Sequence, residues 1–137
     1  MPEKFLYEYA VIRVVPRVER EEFVNVGVIV FCKRLRMIHV RFHLDAEKLR
    51  CLCPDIDLEA IESNLEAFRK IGCGDVAGGS ISQEDPPSRF RWLTAVRSSV
   101  IQTSRPHQGF SHDLEKTLKV YLKNRCAEAS YYFNLPI

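Results

Sequence analysis

Between Pro86 and Phe110 the chain carries Arg89, Arg91, Arg97 and Arg105, the neutral donors Ser98, Ser99 and Gln102, and His107, with no acidic residue among them. Guanidinium groups grip phosphate or carboxylate through paired N–H bonds, and hydroxyls and amides add uncharged donors. Phe90 and Trp92 are interleaved with these arginines and could stack nucleic-acid bases. The set therefore suits an anionic ligand or a single nucleic-acid strand. The competing use is internal. Asp55 to Glu66 holds five acids and no base, so pairing would neutralise both segments within one fold. A formal charge of +2 lacks the strongly basic footprint of typical nucleic-acid binders and favours that internal account.

A second set is Glu22, Asn25 and Gly27, polar or glycine punctuation in the β-prone run Glu22 to Phe31. Glycine inside a strand marks a bulge or a place where another group comes close. Strict alternation puts Asn25 and Gly27 on one face with Phe23, Ile29 and Phe31. If that face is core, Asn25 is a buried amide that must find partners, most simply in the charged loop before it. A bulge with a polar pin competes with a pocket floored by Gly27 and gated by Glu22. The candidate ligand-binding residues are thus Glu22, Asn25, Arg89, Arg91, Arg97, Ser98, Ser99, Arg105 and His107.

Cys51, Cys53 and Cys73, with His39 and His43, match a metal site poorly. Zinc ligands come in pairs about two to four residues apart on turns, and a one-residue spacing on a short helix sends the thiols different ways. No metal and no cofactor are expected. The chain has no Walker loop, dinucleotide fingerprint, zincin helix or nucleophile elbow. Cys73 would need a base such as His107 or His112 to act as a nucleophile, and the spacing supplies none. Catalytic residues stay unassigned, and the balance leans away from an enzyme.

Elements must position these groups. A length of 137 residues fits a single domain, 1–137. Hydrophobic and charged fractions of 46% and 28% are those of an ordinary globular protein, which excludes disorder and fibrous structure. The first third reads as a meander: Phe5 to Val15, stopped by Pro16, then Phe23 to Cys32, then Met37 to Leu44. In the third strand Ile38, Val40, Phe42 and Leu44 share a core face, and Met37, His39, Arg41 and His43 share the other. Asp45 caps a short helix over Ala46 to Leu52, and Leu58, Ile61, Leu65 and Phe68 predict a longer one ending at Gly72.

Gly72 to Ser88 reads as a long loop, a hinge or lid. Arg89 to Ala95 fits helix or strand, Ser99 to Thr103 a strand, and Arg105 to Gly109 a turn. Ser111 or Asp113 caps a last helix with the stripe Leu114, Leu118, Tyr121 and Leu122. Tyr131 to Phe133 could return as an edge strand. The prediction is an α+β domain whose antiparallel sheet begins with a three-stranded meander and packs against two main helices. Five cysteines, an odd number in apolar patterns, suit reduced thiols that are buried or half-buried. No apolar run nears the roughly 18–20 residues of a membrane helix, so a cytoplasmic protein is expected.

Tyr7-Glu8-Tyr9-Ala10-Val11-Ile12-Arg13 leading to Pro16, Glu22-Phe23-Val24-Asn25-Val26-Gly27-Val28, Arg89-Phe90-Arg91-Trp92-Leu93 and Arg97-Ser98-Ser99-Val100-Ile101-Gln102 together resemble the bacterial family called domain of unknown function 3037. The resemblance runs from Tyr7 to the final helix. It implies no activity, substrate or cofactor. Members sometimes lie beside proteins resembling HipA-type kinases, so the resemblance implies a kinase-like protein partner. Three functions stand as expectations. The first is a non-enzymatic protein-interaction module, and the second a binder of nucleic acid or a phosphorylated ligand through the arginine-rich segment. The third is an enzyme acting on a small anionic substrate.

Overall fold

The computed structural model describes residues 3–125. Aromatic and β-branched residues fill β1 (Phe5–Val14), and Pro16, which has no N–H to donate, follows its end. It pairs antiparallel with β2 (Val24–Cys32), which turns through Lys33–Arg36 into β3 (Met37–Phe42). The predicted meander is present. Two later strands return to the far edge of β1: β4 (Ile101–Thr103) against Ile12–Val14, and β5 (His107–Ser111) against Phe5–Tyr9. The segment from His107 is strand where a turn was expected. Ser104 donates its N–H to Val11 O at 2.8 Å and accepts the Val11 N–H on its hydroxyl at 2.9 Å, which keeps the chain alongside β1.

Each of the four α-helices among the described residues begins on an aspartate whose carboxylate accepts a backbone N–H of the first turn. Asp45 opens α1 (Ala46–Leu52), Asp57 opens α2 (Leu58–Cys73), Asp85 opens α3 (Pro86–Leu93) and Asp113 opens α4 (Leu114–Arg125). Arg89 to Leu93 is therefore helical, because Asp85 caps it and proline suits the first helical position. Helices α1 to α3 cover one face of the sheet, where Ile12, Val14, Ile29 and Phe31 meet Leu49, Leu65, Phe68 and Phe90. Helix α4 covers the other, where Val11, Val28, Val30 and Cys32 meet Leu114, Leu118 and Leu122. From Val26 to Cys32 β2 is apolar because both of its faces are buried there. The architecture is α+β, and among the described residues it is an open antiparallel sheet of five strands between helices.

Ile12 faces Gly27 and Arg13 faces Asn25, so Val26 is an extra residue and the strand bulges there. One inserted residue reverses the alternation. Gly27 stays with Ile29 on the α2 side, and Asn25 joins Val28 on the α4 side, which corrects the expectation that they share a face. A Cβ at Gly27 would lie 2.5 Å from the Arg41 carbonyl oxygen and 2.9 Å from Phe42 Cβ. The close neighbour is the β3 backbone, so Gly27 floors no pocket.

The expected long loop is shorter and partly regular. Helix α2 runs on to Cys73, and short turns at Val76–Gly78 and Ser80–Gln83 fill most of the gap to α3. Buried Ser82 holds them, its hydroxyl 2.6 Å from Asp75 O and 2.7 Å from Gly79 O. Cys32 and Cys53 are buried thiols as expected, whereas Cys51 and Cys73 are exposed. Cys126 and Tyr131 to Phe133 lie outside the described residues. Among the described residues no helix is long and apolar enough to cross a membrane.

His39 sits opposite Val30 on the α4 side, and its Nε2 is buried without a hydrogen-bond partner. Burial, and then the Arg41 charge, hold its pKa below the ordinary 6.5, with Glu115 opposing them. The unfolded chain therefore takes up the proton first as the pH falls through 6.5, and stability declines until the folded imidazole also titrates. His39→Gln is expected to flatten denaturation free energy between about pH 7 and pH 5. An unchanged slope would refute this.

Candidate anion-binding site

Arg13 is the single cation in the body of β1, and its register partners are Asn25 on β2 and Gln102 on β4. Its guanidinium lies 4.2 Å from the centroid of the Phe23 ring, and its Nε is buried with no hydrogen-bond partner. A buried donor left unpaired is rare and costly, and Oδ1 of Asn25, its register partner, is likewise buried without a partner, so this end of the sheet holds a donor and an acceptor that are both unsatisfied. The chain beyond α3 is tied back to this end of the sheet by Val15 N–H donating to Val100 O at 2.7 Å. That tie brings Arg97 and Ser98 into the same cavity, about 550 Å³ in volume, with Arg13, Phe23, Gln102 and Glu21.

Arg97 is held by its own surroundings. Its guanidinium stacks 4.6 Å from the Trp92 ring and 5.6 Å from Phe68, and Nη2 donates to Trp92 O. Desolvation by partial burial lowers its pKa from the ordinary arginine value, yet the group stays charged. On its other side a second cavity of about 580 Å³ is lined by Phe68, Trp92 and Ser99 and shares Val18, Arg97 and Ser98 with the first. Arg97 and Ser98 form the wall between the two.

Among the described residues no carboxylate pairs with Arg13 or Arg97. The ion pairs lie elsewhere: Arg17 with Asp55, Arg20 with Glu22, Arg34 with Glu3, and Arg69 with Glu66. The expected neutralisation of the arginine segment by Asp55 to Glu66 does not occur. Ser98 has no partner within the described chain, whereas Ser99 donates to Ile101 O at 2.7 Å and accepts on its carbonyl from Gln102 at 2.8 Å. Ser99 shapes the segment, and Ser98 presents a free hydroxyl. Glu21, in a left-handed turn at φ 58°, stands at the rim and can accept from a ligand's hydroxyl or amine.

The predicted residues divide. Arg97, Ser98 and Ser99 come together, and Asn25 lies beside Arg13 without lining the cavity. Glu22 instead accepts from Arg20 at 2.6 Å. Arg89 is structural: it donates to Ile71 O and Gly72 O at 2.9 and 2.7 Å and to Glu84 O at 3.0 Å, a cation where the carbonyls of α2 end. Arg91 is exposed and donates to Ser88 at 3.2 Å. Arg105 and His107 belong to the β4–β5 junction, where His107 lies 5.3 Å from the Tyr9 ring, farther back along β1. Arg13, Glu21 and Phe23 were missed, although a lone cation in an apolar strand is a legible signal. Among the described residues no three His, Cys, Asp or Glu side chains converge as metal ligands would.

No curated protein and no solved structure matches the chain. A family model matches residues 9–124, a span that contains Arg13, Phe23, Arg97, Ser98 and Gln102. The chain belongs to the family described as Protein of unknown function (DUF3037).

Proposed function

We propose that this protein is a binding module for a small phosphate-bearing ligand, taken between Arg13 and Arg97. The observation that carries the reading is that Arg13, whose Nε is buried and unpartnered, lines one cavity with an unneutralised Arg97 and the Ser98 hydroxyl. A phosphate group offers more acceptor positions than a carboxylate, which suits two guanidiniums and a hydroxyl. Phe23 and Trp92 each carry a guanidinium over one face, so they hold the cations rather than stand free as base-stacking platforms. That favours a small ligand over a nucleic-acid strand, as does the near-neutral charge. Glu21 at the rim favours a ligand that adds a hydroxyl or amine to its phosphate.

Calorimetric titration with inorganic phosphate, a sugar phosphate and a nucleoside monophosphate tests this. Binding is expected for at least one, and Arg13→Gln or Arg97→Gln should each weaken it by about 10–100-fold, the loss of one charge-assisted hydrogen bond of roughly 1.5–3 kcal/mol. Indifference to both substitutions would sink the proposal. Tight, salt-dependent retention of labelled single-stranded nucleic acid in place of the small probes would replace it with the nucleic-acid reading.

A further inference from the structure

The open edge of β3 presents a different surface. A groove of about 380 Å³ is lined by the six consecutive residues Arg36 to Arg41, together with Arg69 and Cys73 of α2 and Arg89 of α3. Arg36 closes the turn and the other five belong to β3, and successive residues of a strand can line one groove only if it follows the strand's backbone edge, since their side chains alternate between faces. Among the described residues β3 is the terminal strand of the sheet. His43 donates its N–H to Val26 O at 2.7 Å, so antiparallel alternation turns Arg41 and His39 toward β2 and leaves the N–H and C=O groups of Ile38 and Val40 on the open side. The Val40 carbonyl is accordingly met by the Arg41 guanidinium, Nη1 donating at 3.1 Å.

The groove is one-signed. Arg36, Arg41, Arg69 and Arg89 line it with His39, and no acidic residue does. Arg69 is paired with Glu66 and Arg89 is spent on carbonyls, but neither Arg36 nor Arg41 has a carboxylate partner among the described residues. Charged side chains on an edge strand ordinarily deter indiscriminate pairing. Here they also select: a basic or neutral strand gains nothing in displacing Arg41 from the Val40 carbonyl, whereas an acidic strand gives that guanidinium a better partner. A second copy of this chain is a poor occupant, because edge-to-edge pairing would set Arg36 and Arg41 against the same arginines of the other molecule.

We infer that the β3 edge is a docking site for an extended, acidic segment of a protein partner, which adds to the sheet as a further strand. The site is independent of the Arg13–Arg97 cavity. Its test is fluorescence anisotropy with a short labelled peptide that alternates glutamate and valine. The companion probes are its lysine counterpart and a version N-methylated on alternate backbone nitrogens. The acidic peptide should bind, salt should weaken it, and both the lysine and the N-methylated peptides should lose about tenfold or more in affinity. Paired Arg36→Glu and Arg41→Glu substitutions, with folding checked by circular dichroism, should cost a similar factor. The N-methylated arm uses the unaltered protein and so stands whether or not the double variant folds. Equal binding of the N-methylated peptide would overturn strand addition, and no binding of the acidic peptide would overturn the site. Self-association of the unaltered protein abolished by the same substitutions would assign the edge to a second copy instead.

Discussion

Gly27→Ala is expected to lower folding stability by about 3 kcal/mol, the upper part of the usual range for overpacking a close-packed core. The added Cβ meets the Arg41 carbonyl oxygen at 2.5 Å and Phe42 Cβ at 2.9 Å, which are backbone and the stem of a side chain. Neither retreats by changing a rotamer. β2 and β3 would have to part locally, at the cost of bonds such as that from His43 N–H to Val26 O. Gly79→Ala isolates backbone strain from steric contact, because nothing lies within 4 Å of a Cβ there, whereas its φ of 89° with ψ of −166° is a conformation essentially reserved for glycine. Its cost should be about 1–3 kcal/mol from backbone conformation alone. Denaturant midpoints check both variants, and an unchanged midpoint for Gly27→Ala would mean that the close approach of β3 carries no cost.

What the sequence made legible follows from period and punctuation. Leu58, Ile61, Leu65 and Phe68 recur at helical spacing, so α2 was readable from side chains that all serve one packed face, although it ends at Cys73 rather than at Gly72. β2 was readable as a strand but not as a two-sided one: a bulge is a matter of register with β1, and the sequence alone carries no register. The same blindness hid the site. Arg97 and Ser98 were visible as donors, but their companion Arg13 lies on β1 and reaches them only through β4 and the tie from Val15 to Val100. Arg89 was misread in the opposite direction. Its chemistry resembles that of a ligand-binding arginine, and only the fold shows that backbone carbonyls of α2 already occupy it.

The cavity also depends on packing one layer away from it. Phe68 of α2 is buried, lies 6.4 Å from Trp92 by ring centroids and has the Arg97 guanidinium 5.6 Å from its ring. Phe68→Ala should therefore cost about 3–5 kcal/mol, a large part of a small domain's total stability. A loss of that size would confuse a binding experiment, since less folded protein would look like weaker affinity. Phe68→Leu separates the two effects. It keeps most of the buried apolar volume and should cost less than about 1.5 kcal/mol, but it removes the ring beside Arg97. With the protein still folded, phosphate-probe affinity should fall by roughly two- to fivefold, the scale of a cation–π contact of about 0.5–1 kcal/mol. If affinity instead stays level while stability falls, Trp92 alone orients Arg97 and Phe68 belongs only to the core. If both fall, the helix layer sets the geometry of the anion site through this one ring.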